Sequence, residues 1–455
     1  MGCPVALRVI LRTPHVSRAA DVAGTSGTVA FQAQTSPAPE QHRYRTKAQE
    51  RTTPAVSADA TPVPQEHPAE HHPLRVLMAA DTFAPDVNGA ATFTEQLAVG
   101  LAERGHEVHI IAPAANRHHG TYEEEHHGVM LTVHRLPSYK WPLHAWLRFA
   151  WPWTVRRHVA PLIDAIKPDV VHIQSHIIVG RGVAREAHDR GIRIIATNHF
   201  MPENLLEYTP FGRFTLPIAL KIAWNDAAKT YRLADVISTP TNLAADYLRK
   251  AIAGQRVLAI SCGIDASRYV AREGRPVGND IVFVGRVAPE KNLDVLFRAL
   301  PLLPAELHAT ITIVGDGEMI PKLTAQAKEL GIEDRVTFLG FVSDEVKYRA
   351  LTNATVFAMP STAELQSIAS LEGMASGLPV VAANSMALPH LIDGNGYLFE
   401  PGDEQDLAAK LALVLTASDE DYVALRERSL AMIEAHDINR TLATFEALYR
   451  GEPVA

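Results

Sequence analysis

The sequence predicts an α/β protein made of two doubly wound domains, each a parallel sheet with helices on both faces. Three observations predict it. Short, apolar, β-branched runs recur with helical stretches between them, the pattern of a parallel sheet covered on both sides. The series breaks near residues 262–280 and then starts again, so there are two such sheets. The chain has 455 residues, and at about 150 residues per domain that length holds two to three domains. Ligands of doubly wound sheets lie beyond the carboxyl ends of the strands. The expected site is therefore a cleft across which the two domains face each other.

Taken in order, residues 1–73 stand apart. They are rich in Ala, Thr, Pro, Gln and His and poor in aromatics. So little apolar surface cannot offset chain entropy, and a disordered N-terminal extension is expected. A signal peptide is not expected, because the apolar start Pro4–Leu11 is short and broken by Arg8. The N-terminal domain, 74–261, opens abruptly at Leu74-Arg-Val-Leu-Met-Ala-Ala80. Its strands are expected at 74–80, 107–112, 130–135, 169–174, 193–198, 235–239 and 256–261. A helix over Ala91–Arg104 is stopped by Gly105, which accepts the left-handed conformation of a helix end. The C-terminal domain, 262–430, has strands expected at 281–285, 310–314, 335–339, 355–359 and 379–383. Residues 431–455 are expected to form a helix returning toward the N-terminal domain.

Composition excludes several classes. Apolar residues make up 47% and charged residues 21%, as in a soluble globular protein. No run of about 18 uninterrupted apolar residues exists, so no spanning helix is expected. Cys3 and Cys262 cannot build a disulfide framework and fit a reducing compartment. A net charge of −8 argues against nucleic acid as a partner. That charge is polarised: residues 1–73 carry +1, 74–261 carry +3 and 262–455 carry −12.

Three segments carry chemistry. In Asp81-Thr-Phe-Ala-Pro-Asp-Val-Asn-Gly89, between a strand and a helix, Gly89 lets backbone approach an anion at a helix N-terminus. An ordinary turn is the alternative. In Val284-Gly-Arg286-Val-Ala-Pro-Glu-Lys291-Asn292, two cations sit at the carboxyl end of a strand. Arg286 as a fork and Lys291 as a point charge would neutralise a diphosphate, or would be two solvated surface charges. In Pro360-Ser-Thr-Ala-Glu364-Leu-Gln366-Ser367-Ile368, a strand runs through a polar turn into a helix. The amides of Gln366, Ser367 and Ile368 are then the unpaired helix donors. Glu364 lies in the turn, and Glu372 further on would reach a ribose hydroxyl. Otherwise Glu364 is a dipole partner of the helix and Glu372 an exposed helix charge.

Two further features invite a reading. His71-His72, His118-His119 and His126-His127 are adjacent pairs, a poor chelating geometry with no accompanying carboxylate or cysteine motif, so no metal site is expected. The stretch Lys140–Trp153 holds four of the five tryptophans. Trp141 and Trp146 with Arg148, Arg156 and Arg157 suit an anionic bilayer interface. Packing of the tryptophans into the domain is the alternative, and Pro142 and Pro152 rule out one long amphipathic helix.

Together the motifs resemble the retaining glycosyltransferases of family 4, which have the two-domain GT-B fold. The resemblance covers roughly 74–450. It rests on the Asn88-Gly89 loop, Thr197-Asn-His199-Phe, Cys262-Gly-Ile-Asp265, Arg286 with Lys291, Val314-Gly-Asp-Gly317, Leu339-Gly-Phe-Val342 and the pair Glu364 and Glu372. Asn198-His-Phe-Met-Pro-Glu-Asn204 and Ala363-Glu-Leu-Gln-Ser367 resemble the branch acting on lipid acceptors, which in actinobacteria includes mannosyltransferases of glycolipid assembly. Many relatives carry Phe-Gly where this chain has Gln366-Ser367; the lipid-acceptor relatives show a similar substitution.

The resemblance implies a hexosyltransferase taking mannose from GDP-mannose to a lipid-linked acceptor, peripheral at the cytoplasmic face of the cell membrane. It implies no metal or other cofactor, since Arg286 and Lys291 stabilise the departing diphosphate. Glu364 orients the donor sugar and Glu372 holds the ribose. Backbone near Val342 holds the base, Gly89 closes over the diphosphate, and His199 faces the sugar. Retention is attributed in this family to a donor phosphate oxygen taking the acceptor proton, so no protein general base is named. Other readings are a glucosyltransferase using UDP-glucose on a diacylglycerol-type lipid, and a soluble transferase acting on a small polyol or glycan. A non-catalytic nucleotide-sugar binder would be expected to have lost Arg286, Lys291 or Glu364.

Overall fold

The computed structural model describes residues 72–454 apart from 87, 117, 142–143 and 200–215, and the side chains of 141–147, 216, 217 and 219 are also outside the description. The expected N-terminal extension lies outside the described residues except for its last two positions.

The N-terminal strands are β1 (Arg75–Ala79), β2 (Glu107–Pro113), β3 (Gly120–His126), β4 (Val129–Leu136), β7 (Val170–Ile173), β8 (Arg193–Thr197), β9 (Val236–Thr239) and β10 (Val257–Ala259). They form one sheet in the order β10-β9-β8-β7-β1-β2-β4-β3. It is parallel throughout except where β3 pairs antiparallel with β4 at the edge. A hairpin of β5 (Tyr139–Trp141) and β6 (His144–Phe149) stands apart from it. The C-terminal strands are β11 (Asp280–Val284), β12 (Thr310–Val314), β13 (Val336–Gly340), β14 (Val356–Met359), β15 (Val380–Ala383) and β16 (Gly396–Phe399). They make a wholly parallel sheet in the order β13-β12-β11-β14-β15-β16.

Each expected strand has a counterpart within two residues at either end. Strands β3, β5, β6 and β16 were not expected. The reason is visible in β3, Gly-Thr-Tyr-Glu-Glu-Glu-His, whose side chains are almost all solvent-facing. An edge strand of that kind carries no apolar run.

The helices are α1 (Gly89–Glu103), α2 (Pro152–Ile166), α3 (Val179–Asp189), α4 (Leu216–Tyr231), α5 (Asn242–Ala251), α6 (Leu293–Ala299), α7 (Ile320–Glu329), α8 (Asp344–Asn353), α9 (Ile368–Ala375), α10 (Glu404–Leu415), α11 (Asp419–Ile433) and α12 (Ile438–Arg450). Strand side chains alternate between faces. Leu77 and Ala79 of β1 accordingly pack with α2, α3 and α5, while Val76 and Met78 pack with α1 and α12. The last helix thus completes the core of the N-terminal domain. Phe445 and Leu448 are fully buried there, each worth roughly 1.5–3 kcal/mol. Tyr449 Oη lies 2.7 Å from His172 Nδ1.

The chain crosses between the domains twice, at 260–264 and at 434–438. The two segments lie side by side: Ile264 N–H donates to His436 O (2.7 Å) and Ile438 N–H to Ile264 O (3.1 Å). The return begins slightly later than residue 431, because α11 stays packed on the C-terminal core through Tyr422 and Ile433.

Topology then places the site. β1 lies between β2 and β7, and β11 between β12 and β14, so the direction of winding reverses at β1 and at β11. Such reversals open a crevice at the carboxyl ends of the strands. The loops that follow β1, β11 and β14 are the three that carry the motifs.

Candidate active site

A cleft of about 820 Å³ separates the two sheets. One wall is the loop after β1 with α1. The other is made by the loops after β11 and β14 and the start of α9.

On the N-terminal wall, Gly89 is the first residue of α1. Asn88 caps it: its Oδ1 accepts from Ala91 N–H (3.0 Å) and from the Thr82 hydroxyl (3.2 Å). The amides of Gly89 and Ala90 make no hydrogen bond among the described residues. A Cβ built on Gly89 would meet nothing within 4 Å. No packing among the described residues demands glycine here, so its effect is to leave room on the cleft side of a helix N-terminus, where an anion is favoured.

On the C-terminal wall the two cations are each held by a carboxylate. Arg286 pairs with Glu290 (2.6 Å) and Lys291 pairs with Glu364. Their side chains are 23% and 19% exposed, so they are not solvated surface charges. The loop that carries them is bedded on glycines. A Cβ at Gly315 would fall 1.9 Å from Gly285 O, and one at Gly317 would fall 2.2 Å from Val287 O. The Val314-Gly-Asp-Gly317 motif is thus backbone packed on backbone. Asn292 stitches the loop to the next: its Nδ2 donates to Thr362 Oγ1 (3.0 Å), and Thr362 N–H donates to Glu290 O (3.2 Å).

The amides of Gln366, Ser367 and Ile368 make no hydrogen bond among the described residues. Ser367 caps α9 with φ 75°, a left-handed conformation that favours glycine. Glu372, in the next turns, is buried at 7% exposure rather than an exposed helix charge. Its Oε1 receives both Tyr269 Oη (2.9 Å) and Lys347 Nζ (2.9 Å). No bond to its Oε2 exists among the described residues. Burial opposes the Lys347 charge, but Glu372 and Asp344 override it and raise its pKa above the ordinary lysine range. Val342 and Ile368 also line the cleft.

The side chains of two expected residues lie outside the cleft lining. Gln366 is buried and turns its side chain away from the cleft, toward Ser261 and Cys262. His199, past the end of β8, packs on Phe93 at 4.8 Å between ring centres and bonds through Nε2 to Gln174 Oε1 (2.9 Å). It is not among the side chains lining the cleft. Burial pushes its pKa down to about 3, so it is neutral.

A family profile described as Glycosyltransferase Family 4 matches residues 87–268, and one described as Glycosyl transferases group 1 matches 278–417. The chain belongs to the family 4 glycosyltransferases. It is 29% identical to a GDP-mannose-dependent alpha-mannosyltransferase of Mycolicibacterium smegmatis, over 69% of this chain and 80% of that one. It is 24% identical to the alpha-monoglucosyldiacylglycerol synthase of Streptococcus pneumoniae, over 82% and 85%. Among solved structures, Anabaena HepE in complex with UDP-glucose superposes with a TM-score of 0.65 at 19% identity, covering 83% of this chain and all of that one. Sucrose-phosphate synthase from Thermosynechococcus elongatus gives 0.67 at 18% identity, over 83% and 98%. These establish the GT-B fold.

The residues expected to face a membrane are placed as follows. The side chains of Trp141 and Trp146 lie outside the described residues. The Arg148 guanidinium is tied to Ala114 O (2.9 Å), Ser138 Oγ (2.8 Å) and Ser138 O (3.0 Å), so it braces the β5–β6 hairpin. Arg156 bridges α2 to α3 through Glu186 (2.5 Å) and Asp189 (2.8 Å). Arg157 is exposed. Trp153, not singled out from the sequence, is 72% exposed and stacks on Trp151. Sequence reasoning also missed Glu290, Lys347 and Tyr269. Glu290 sits beside the cation motif. Tyr269 and Lys347 come from distant segments and had no local signal.

Proposed function

We propose that this glycosyltransferase moves a hexose, mannose from GDP-mannose, with retention onto a lipid-linked acceptor at a membrane surface. The observation that carries the reading is the meeting of Arg286, Lys291, Glu364 and Glu372 in one cleft opposite the open start of α1. The names of the Mycolicibacterium and Streptococcus relatives support the mannosyl donor and the lipid acceptor respectively.

In this reading the diphosphate lies between the Gly89 and Ala90 amides and the cations Arg286 and Lys291. Preorganised donors aimed at developing charge are worth several kcal/mol of barrier, about 3–4 for a single donor. Lys291 bonds one oxygen of Glu364, and the other oxygen receives a sugar hydroxyl. The amides of 366–368 complete the sugar and phosphate contacts. Glu372 offers Oε2 to the ribose, and backbone at Val342 meets the base. The bond from the anomeric carbon to phosphate breaks, the acceptor oxygen takes that carbon on the same face, and the acceptor proton passes to a donor phosphate oxygen. Two protein cations do the work a metal ion would do, so chelator should leave turnover intact.

A peripheral membrane location is supported by Trp153 and Arg157, four apart on α2 and both exposed. No helix among the described residues is long and apolar enough to cross a membrane. Labelled GDP-mannose and UDP-glucose incubated with the enzyme and a lipid extract test the proposal. Labelled lipid from GDP-mannose is expected. Transfer from UDP-glucose alone would favour the glucosyl reading, and no lipid product from either would overturn both. Flotation with anionic vesicles should weaken in Trp153→Ser with Arg157→Glu.

A further inference from the structure

Gln366 occupies the position where this chain departs from the Phe-Gly of many relatives, and its side chain has no place in the cleft. It is 2% exposed. Its Oε1 accepts from Cys262 N–H (2.8 Å), and its Nε2 donates to Ser261 Oγ (2.8 Å) and lies 3.3 Å from His436 Nδ1. Ser261 Oγ also lies 2.8 Å from His436 Nδ1 and accepts from Gly263 N–H (3.1 Å). Every one of these partners belongs to the two segments by which the chain crosses between domains. A single amide in the sugar-binding loop therefore engages both crossings.

The junction it engages is close-packed. Gly263 has φ 76°, and a Cβ there would fall 2.9 Å from Ile438 Cα and 2.8 Å from Thr441 Oγ1. Thr441 Oγ1 in turn donates to Ser261 O (3.0 Å). Burial with His390 and Arg440 pushes the His436 pKa down to about 4, which keeps the ring neutral at neutral pH; the Ser261 hydroxyl, already accepting from Gln366 and Gly263, has its own hydrogen left for His436 Nδ1.

We infer that Gln366 is a positioning residue that locks the loop carrying Glu364 and the amides of 366–368 to the interdomain crossing, so that sugar-nucleotide affinity and domain placement are linked. The inference rests on the proposed sugar-nucleotide reading of the cleft. The two domains meet the ligand from opposite walls, and this amide connects the loop on one wall to the segments that set the distance to the other. Linkage of this kind is reciprocal: whatever loosens the crossing weakens the ligand, and the ligand stiffens the crossing.

Calorimetric titration of the full chain with GDP and with UDP tests it, beside thermal unfolding of each variant. Wild type should bind one of them. Gln366→Leu strands the Cys262 amide and takes one of three partners from the Ser261 hydroxyl, and should weaken that nucleotide by about tenfold or more. Ser261→Ala should weaken it less, and the double variant should be non-additive because the two changes share a bond. Should Gln366→Leu fail to fold, Gln366→Glu decides, since it keeps the acceptor for Cys262 N–H and loses the donor to Ser261. Variants that melt lower yet bind within twofold of wild type overturn the inference and leave the functional reading standing. A wild type that binds neither nucleotide sinks the functional reading, and the inference with it.

Discussion

Lys291 and Glu364 are 73 positions apart in the chain, yet their side chains form an ion pair at the carboxyl ends of the neighbouring strands β11 and β14. The pair exists because parallel strands deliver their following loops to the same end of the sheet. Each member is mostly buried, so neither is a surface charge of negligible worth.

Lys291→Ala and Glu364→Gln should each reduce transfer by about 100-fold or more, the loss expected when one preorganised contact to the reacting groups is removed. Lys291→Ala also leaves the Glu364 carboxylate without its counter-charge, so it should melt lower than Glu364→Gln. Turnover at near wild-type rates in a folded variant would remove the residue from the site. Rates and melting curves on the same preparations decide this.

Lys347 and Tyr269 both bond one oxygen of Glu372 and so aim the other. Lys347→Met removes the charge that holds this carboxylate. The KM for the sugar donor should rise by about tenfold with kcat little changed, the signature of lost binding that is equal in ground and transition states. A fall in kcat at constant KM would place Lys347 in the chemical step instead.

Ser367 adopts φ 75° at the cap of α9. Glycine takes that conformation without a steric cost, and a Ser-to-Gly change at a cap costs only a few tenths of a kcal/mol. Ser367→Gly should therefore leave stability unchanged or raise it by up to about 1 kcal/mol, while Ser367→Ala, which loses the cap and keeps the Cβ, should lower it by about 1 kcal/mol. The reverse order in urea titrations would show that the backbone there is unstrained.

Burial holds several histidines neutral. His172 and His199 are pushed down to about 3, and His134, His176 and His436 to about 4, from an ordinary value of 6.5. In each case the unfolded state binds the proton more readily. Their contribution to stability is therefore complete above pH 6.5 and is lost as pH falls toward 4 for three of them and toward 3 for His172 and His199. Asp81, whose pKa is raised by burial, works in the opposite sense at the acid end. The enzyme should be less stable at pH 5 than at pH 7, and His436→Asn should flatten that difference. A stability constant or rising from pH 7 to 5 would contradict it.

Much of the fold was legible because buried parallel strands write themselves as apolar β-branched runs, as in Ile281–Val284 and Val356–Met359. The exposed strand β3 wrote no such run. The cleft residues Gly89, Arg286, Lys291, Glu364 and Glu372 were legible because each lies in a segment that joins the end of a strand to the following helix or in that helix. The orientations of the His199 ring and the Gln366 side chain were not legible, because a position in a motif does not say which way a side chain turns.

Sequence alone therefore determined the two-domain α/β architecture and the three loops that line the cleft, since strand periodicity and loop position are local properties. Only the tertiary structure decided the partners. It paired Arg286 with Glu290 and Lys291 with Glu364, brought Lys347 and Tyr269 to Glu372, and turned Gln366 toward Ser261 and Cys262 at the crossing. It drew Arg148 and Arg156 into bracing contacts and left Trp153 exposed. The long-range contacts among these are set by how sheets stack and where the chain crosses between them, and no short stretch of residues encodes that.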